Sequence, residues 1–195
     1  WLKYIQGKIW RIPPERPEEI LPWLRRVAVA QRETSVFGSQ QTDRPAKDFS
    51  LPKPNGAQAF EVVGIPLQAP GLYIVELASA RLGASLLGKP QPMYVPTAAL
   101  VTNLSVHLKW GSNTSLVWVT TLDTAQPVPD ARITVQDCHG KILWQGDTDR
   151  QGIARVQALP TRENLPSCDD GKEIPFYDFS QTQALAGLTQ GLLVM

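Results

Sequence analysis

The stretch from Thr114 to Val156, TSLVWVTTLDTAQPVPDARITVQDCHGKILWQGDTDRQGIARV, restricts the fold more than any other part of the chain. Four short apolar-rich runs, Leu116 to Thr121, Ala131 to Gln136, Lys141 to Gln145 and Ile153 to Gln157, are separated by turn chemistry. Pro127, Pro129 and Asp130 break the first gap, His139-Gly140 the second, and Asp147-Thr148-Asp149 with Gly152 the third. Strands of about 5–6 residues at spacings of roughly 8–12 residues are the pattern of an antiparallel β-sandwich. Within the second run Ile133 and Val135 fall on one face, and Arg132, Thr134 and Gln136 on the other. A period of 2 sends one face to the core and the other to water.

The rest of the chain is read outward from this anchor. Residues 1–12 form a strand or a hairpin half, with Leu2, Tyr4, Ile9 and Trp10 as its apolar side and Gly7 as an interruption. Pro13, Pro14 and Pro17 stop its ladder, because proline donates no N–H. Glu18 to Gln31 is the candidate helix. Ile20, Trp23, Leu24, Val27 and Ala28 lie near helical spacing, with acids first and Arg25-Arg26 later. An extended reading of Arg26 to Val36 competes. Ser39 to Gly56 reads as a polar, proline-containing loop. The β pattern returns at Phe60 to Leu67 and again at Leu72 to Leu77, where Tyr73, Val75 and Leu77 share one face and Leu72, Ile74 and Glu76 the other. Arg81 to Pro92 reads as a Gly/Pro-rich connection, and Thr97 to Trp110 as one long strand kinked near Asn103. A domain boundary is expected at Gly111-Ser112-Asn113, giving two sandwich domains, residues 1–110 and 111–195. The fold class is therefore all-β, a tandem antiparallel β-sandwich with one short helix near residues 18–31. The chain opens on Trp1-Leu2-Lys3 as if mid-strand and ends as a strand begins at Gly191, so we expect a piece of a longer protein whose second domain lacks its last strand.

Charge and chemistry exclude several functions. A net charge of +1 gives no electrostatic attraction to nucleic acid or an anionic membrane. No run reaches the ~18 apolar residues of a membrane-spanning helix. His107 and His139 have no Cys, Asp or Glu at metal-ligand spacing, so no metal or other cofactor is expected. Cys138-His139 does not make a nucleophile–base pair, because neighbours on a strand point to opposite faces. Acidic turns at Asp147/Asp149 and Asp169-Asp170 lack the ligand pattern of a calcium loop and read as solvated turns. Asp149 and Gly152 are the structural turn residues: Gly152 supplies a positive φ and Asp149 bonds the backbone. Trp110, Trp118 and Trp144 could offer a stacking platform for sugars or bases, but strand tryptophans more often pack. The two cysteines, Cys138 and Cys168, can pair in an oxidising compartment, closing a loop of about 30 residues worth roughly 3–4 kcal/mol in the chain-entropy model. Two core thiols are the alternative, and we expect the bond.

Three segments in series carry a family resemblance: PGLYIVELASARLG (Pro70 to Gly83), ALVTNLSVHLKWG (Ala99 to Gly111), and the run from Leu116 to Val156. Over residues 58–157 the chain resembles the macroglobulin-like domains of bacterial alpha-2-macroglobulins. The PVPDARITV…TDRQG part alone (Pro127 to Gly152) also occurs in transthyretin-like modules, so the order of all three makes the likeness specific. The resemblance implies a periplasmic chain of β-sandwich domains, often a lipoprotein of the inner membrane. Its members defend the cell as broad-range endopeptidase inhibitors: a bait segment is cut, and the protease is caged. Implied partners are target proteases and neighbouring macroglobulin domains, without nucleic acid and without membrane insertion of this segment. Many members carry a Cys-x-Glu-Gln thioester. Neither Cys138, followed by His139-Gly140-Lys141, nor Cys168, followed by Asp169-Asp170-Gly171, fits that motif. No catalytic residue is carried over, and no enzyme activity is expected. The alternative is an Ig-like or transthyretin-like adhesion or carbohydrate-binding module.

Overall fold

A computed structural model describes residues 5–38, 46–51, 62–167 and 192–194. The chain divides into two compact units, Trp1–Val101 and Thr102–Met195. It is all-β in class, mostly antiparallel sheet with 14% helix.

In the first unit β1 (Gln6–Ile12), β2 (Lys47–Ser50), β3 (Gly71–Ser79) and β4 (Met93–Val101) form one antiparallel sheet in the order β2-β1-β3-β4. β3 is central, and residues on both of its faces are buried, from Leu72 through Glu76. Two-sided burial is why this strand reads as a near-continuous apolar run. Gly71 begins it at φ +142°, where an added Cβ would run into the Ile12 carbonyl. The Arg11 guanidinium donates two hydrogen bonds to the Pro70 carbonyl and closes the same corner.

The expected helix is present as α1 (Ile20–Ala28), entered through a single 3₁₀ turn at Pro17–Glu19 that holds the acids. Ile20, Trp23, Leu24 and Val27 pack onto Ile12, Leu72 and Ile74, so the helix covers one face of the sheet. After α1 the chain returns through Val36 and Phe37, whose ring lies 5.4 Å from that of Trp23. This return is pinned by Glu76, which is 2% exposed. Its carboxylate accepts from the Ser35 hydroxyl and from the Val36 amide, both at 2.6 Å. A carboxylate can stay buried only when such donors replace water.

Several expectations for this unit need correction. Ser39 to Gly56 is not all loop: Lys47–Ser50 forms an edge strand paired to β1, with Phe49 lying over Gly7. Gly7 therefore does not interrupt β1, and its missing side chain leaves room for the ring. Residues 62–70 form no strand, and 52–61 lie outside the described residues. Ala80–Leu86, expected within a connection, is a short helix, α2, capped by the Ser79 hydroxyl accepting from the Leu82 amide at 3.2 Å. The long strand from Thr97 to Trp110 is two strands in different sheets: β4 ends at Val101, and β5 (Leu104–Lys109) pairs only downstream. The unit boundary accordingly falls at Val101/Thr102, not at 110/111.

The second unit has two three-stranded antiparallel sheets. One is ordered β5-β6-β9, with β6 Thr114–Thr121 and β9 Ile153–Gln157. The other is ordered β10-β7-β8, with β7 Arg132–Asp137, β8 Ile142–Asp147 and β10 Leu192–Val194. Val117, Val119, Ala154 and Val156 from the first sheet pack with Ile133 and Val135 from the second. The predicted in-facing pair Ile133/Val135 thus sits at the centre of the core. The simple alternation ends there, because a bulge between Val135 and Gln136 shifts the register and leaves Gln136, Asp137 and Cys138 all buried.

Replacing Glu76 by Ala leaves the Ser35 hydroxyl and Val36 amide without their acceptor. We expect a loss of about 2–4 kcal/mol in the first unit. Amide exchange along β3 in urea reads this out, and unchanged protection would refute the staple.

Candidate functional site

Among the described residues of the second unit, the crossing from β8 to β9, Thr148 to Gly152, is densely hydrogen-bonded. It carries the chain from one sheet to the other, so its backbone has no ladder of its own and its polar groups need other partners. Asp149 supplies two: its Oδ1 accepts from the Gln151 amide at 2.9 Å and the Ile153 amide at 3.0 Å. Its own amide donates to the Ile153 carbonyl, and the Gly152 amide donates to the Asp149 carbonyl, each at 2.9 Å. Gly152 sits at φ +71°, and an added Cβ would lie 2.5 Å from the Val119 carbonyl oxygen and 3.0 Å from the Val128 nitrogen. Asp149 and Gly152 therefore occupy the turn positions expected of them.

Thr148 ties the crossing to a second inter-sheet connection, residues 122–131. Its buried hydroxyl donates to the Val128 carbonyl at 2.7 Å and accepts from the Ala131 amide at 2.9 Å. Backbone bonds Asp130 N to Thr148 O and Thr148 N to Ala131 O flank these. The Gly152 carbonyl accepts from the Val119 amide at 2.8 Å, and Val128 N donates to Val119 O at 3.0 Å. Both crossings are thus bonded to each other and to β6. This role of Thr148 is not signalled by the sequence pattern, which shows only a threonine between two turn aspartates.

At the far end of β7 a second aspartate does similar work. Asp137, buried, accepts at Oδ1 from the His139 and Lys141 amides, each at 2.9 Å. Gly140 at φ +84° completes the hairpin. The His139 Nε2 lies 2.9 Å from the Ser167 carbonyl oxygen. A carbonyl only accepts, so Nε2 carries the hydrogen. Cys138 is 5% exposed and is half of a disulfide. Cys168 lies outside the described residues, as do Asp169 and Asp170.

The remaining candidates do not converge. His107 lies on β5, its Nε2 2.9 Å from the Ser105 hydroxyl, its ring 5.7 Å from that of Trp118 across the register pair. Trp118 is 41% exposed and donates from Nε1 to the Gln151 carbonyl. Trp110 and Trp144 instead pack against the core, so the three do not make one stacking surface. The Asp123 carboxyl, in the turn after β6, is held below its ordinary pKa by the Asn103 side chain and then by Thr121. Among the described residues no three His, Cys, Asp or Glu side chains group as metal ligands, and no helix is long and apolar enough to cross a membrane.

The second unit is thus defined as a β-sandwich module whose side-chain chemistry, among the described residues, is turn chemistry, placed to hold two sheets in register. Residues 101–185 match the family model described as the bacterial alpha-2-macroglobulin MG3 domain. That stretch, somewhat under half of the chain, is similar to a macroglobulin-like domain of bacterial alpha-2-macroglobulins. Among solved structures it is similar to native alpha-2-macroglobulin from Escherichia coli in a crystal structure spanning domains NIE-MG1. That likeness has a TM-score of 0.54 and 16% identity, covering 80% of this chain and 74% of that one. It is also similar to the same protein spanning domains MG0-NIE-MG1, with a TM-score of 0.52 and 18% identity, covering 80% of this chain and 48% of that one. At these identities the likeness is one of fold. No curated protein matches the chain.

Gly152→Val combines a disfavoured φ with a clash against the Val119 carbonyl. We expect the second unit to lose about 3 kcal/mol or more, read as a lower denaturant midpoint; an unchanged midpoint would contradict the turn assignment.

Proposed function

We propose that this chain is a scaffold segment of a bacterial alpha-2-macroglobulin, a broad-range endopeptidase inhibitor that encloses its target after the target cuts a bait segment. The observation that carries the reading is the match of residues 101–185 to the MG3 domain of that family. The architecture suits the role. The second unit has its own buried core between two sheets and two cross-bonded connections, which make a stiff building block. Its work is mechanical: it holds neighbouring macroglobulin domains of the same chain in position and forms part of the cage wall. The reading makes the segment a non-enzyme, with target proteases as partners only through the full-length protein. It places the protein in the periplasm, anchored to the inner membrane as a lipoprotein in host defence. Support for an oxidising compartment comes from Cys138, and we propose Cys168 as its partner.

The test uses the full-length protein mixed with a large protease such as elastase. A shift in native-gel mobility, with small peptides still cut and large proteins spared, is the expected result. Absence of both the shift and the sparing would overturn the trap reading. The isolated chain is expected to leave casein intact. Cleavage that disappears in Cys138→Ala or Cys168→Ala would show a thiol peptidase instead.

A further inference from the structure

The hairpin that follows Cys138 reaches the residue that precedes Cys168. His139 and Ser167 are the immediate inner neighbours of the two cysteines, and they touch through Nε2 and the Ser167 carbonyl at 2.9 Å. This hydrogen bond closes a loop within the same span that the proposed disulfide closes. Its donor is held in place from below. Two backbone amides of the turn, His139 and Lys141, are bound to the buried Asp137 carboxylate, and Gly140 provides the left-handed residue the hairpin needs. The imidazole therefore projects from a fixed backbone rather than a free loop.

From this geometry we infer that His139 is a positioning residue for oxidative closure of the second unit. It docks the Ser167 segment on the β7–β8 hairpin and raises the effective concentration of the Cys168 thiol at Cys138. The two links are thermodynamically coupled. Most of the cost of forming a loop is the entropy of bringing its ends together, and a second link between adjacent residues adds little to that cost. A hydrogen bond next to the cysteines and the covalent bond between them must then favour each other by equal factors. The inference rests on the Cys138–Cys168 pairing proposed above.

The step itself is thiol–disulfide exchange with oxidised glutathione. One cysteine thiolate attacks the glutathione disulfide and releases one glutathione thiolate. The second cysteine thiolate then displaces the other glutathione from the mixed disulfide, forming the Cys–Cys bond. Two protein thiols become one disulfide, and one glutathione disulfide becomes two thiols. His139 takes no part in the bond changes and acts only through the position of the Ser167 segment.

The test measures the effective concentration of the two thiols by equilibrating the whole chain in glutathione redox buffers. His139→Ala is expected to lower it about three- to tenfold, the range one hydrogen bond spans. His139→Gln, whose side-chain amide can donate from a similar reach, is expected to stay within about twofold of the parent chain. Nitrogen-15 NMR of the oxidised parent chain should show the His139 hydrogen on Nε2, and this readout needs no variant to fold. A mapped Cys138–Cys168 bond with an unchanged effective concentration in His139→Ala overturns the role of His139 alone, as does a hydrogen confined to Nδ1. A digest that maps Cys138 to a second chain overturns the pairing beneath it.

Discussion

The second unit depends on one hydroxyl. Two of the crossings that join its two sheets, residues 122–131 and Thr148 to Gly152, lie outside the strand ladders. Thr148 bonds one crossing to the other through both its donor and its acceptor, in a buried position where water cannot substitute. The Gly152 carbonyl then bonds the joined crossings to β6. The spacing between the sheets, and so the packing of Val117, Val119, Ala154 and Val156 on Ile133 and Val135, follows from this short chain of bonds. Apolar contact drives the sheets together without direction; the polar crossings set which residues face which.

Glu76 does comparable work in the first unit. Alternation along β3 puts Glu76 on the face of Leu72 and Ile74, and that face is the one α1 covers. A buried carboxylate there would be costly without donors, and the return segment after α1 supplies two. The same donors fix where that segment lies, so Val36 and Phe37 reach the apolar cluster beside Trp23.

Much of this was legible in the chain, and the failures have physical causes. The strands of the anchor stretch and the turn roles of Asp149 and Gly152 could be read because turn chemistry is local: a side-chain acceptor and a positive φ need only a few residues. The helix near residues 18–31 was legible from its spacing. The boundary was not, because a period of 2 runs straight through Thr102-Asn103 while the chain passes from one sheet into another. Burial of Glu76 was hidden because alternation names faces without saying what covers them. α2 was hidden by Gly83 and Gly88, although Ser79 is a good N-cap residue. Thr148 and the His139–Ser167 contact escaped for one reason: each joins residues that are distant along the chain, and no local pattern records such pairs.

These bonds bear on function through stiffness. Under the scaffold role proposed above, a segment that holds its neighbours in position must resist sliding of one sheet over the other, and among the described residues the densest bonding accordingly lies in turns and crossings. The most direct test is native-state hydrogen exchange of the chain against Thr148→Val, which keeps the shape and removes the hydroxyl. The account predicts that amides of both sheets, Val119 in β6 and Ile133 in β7, lose protection together and by similar factors. Faster exchange at Ala131 alone, with both sheets as protected as before, would contradict it.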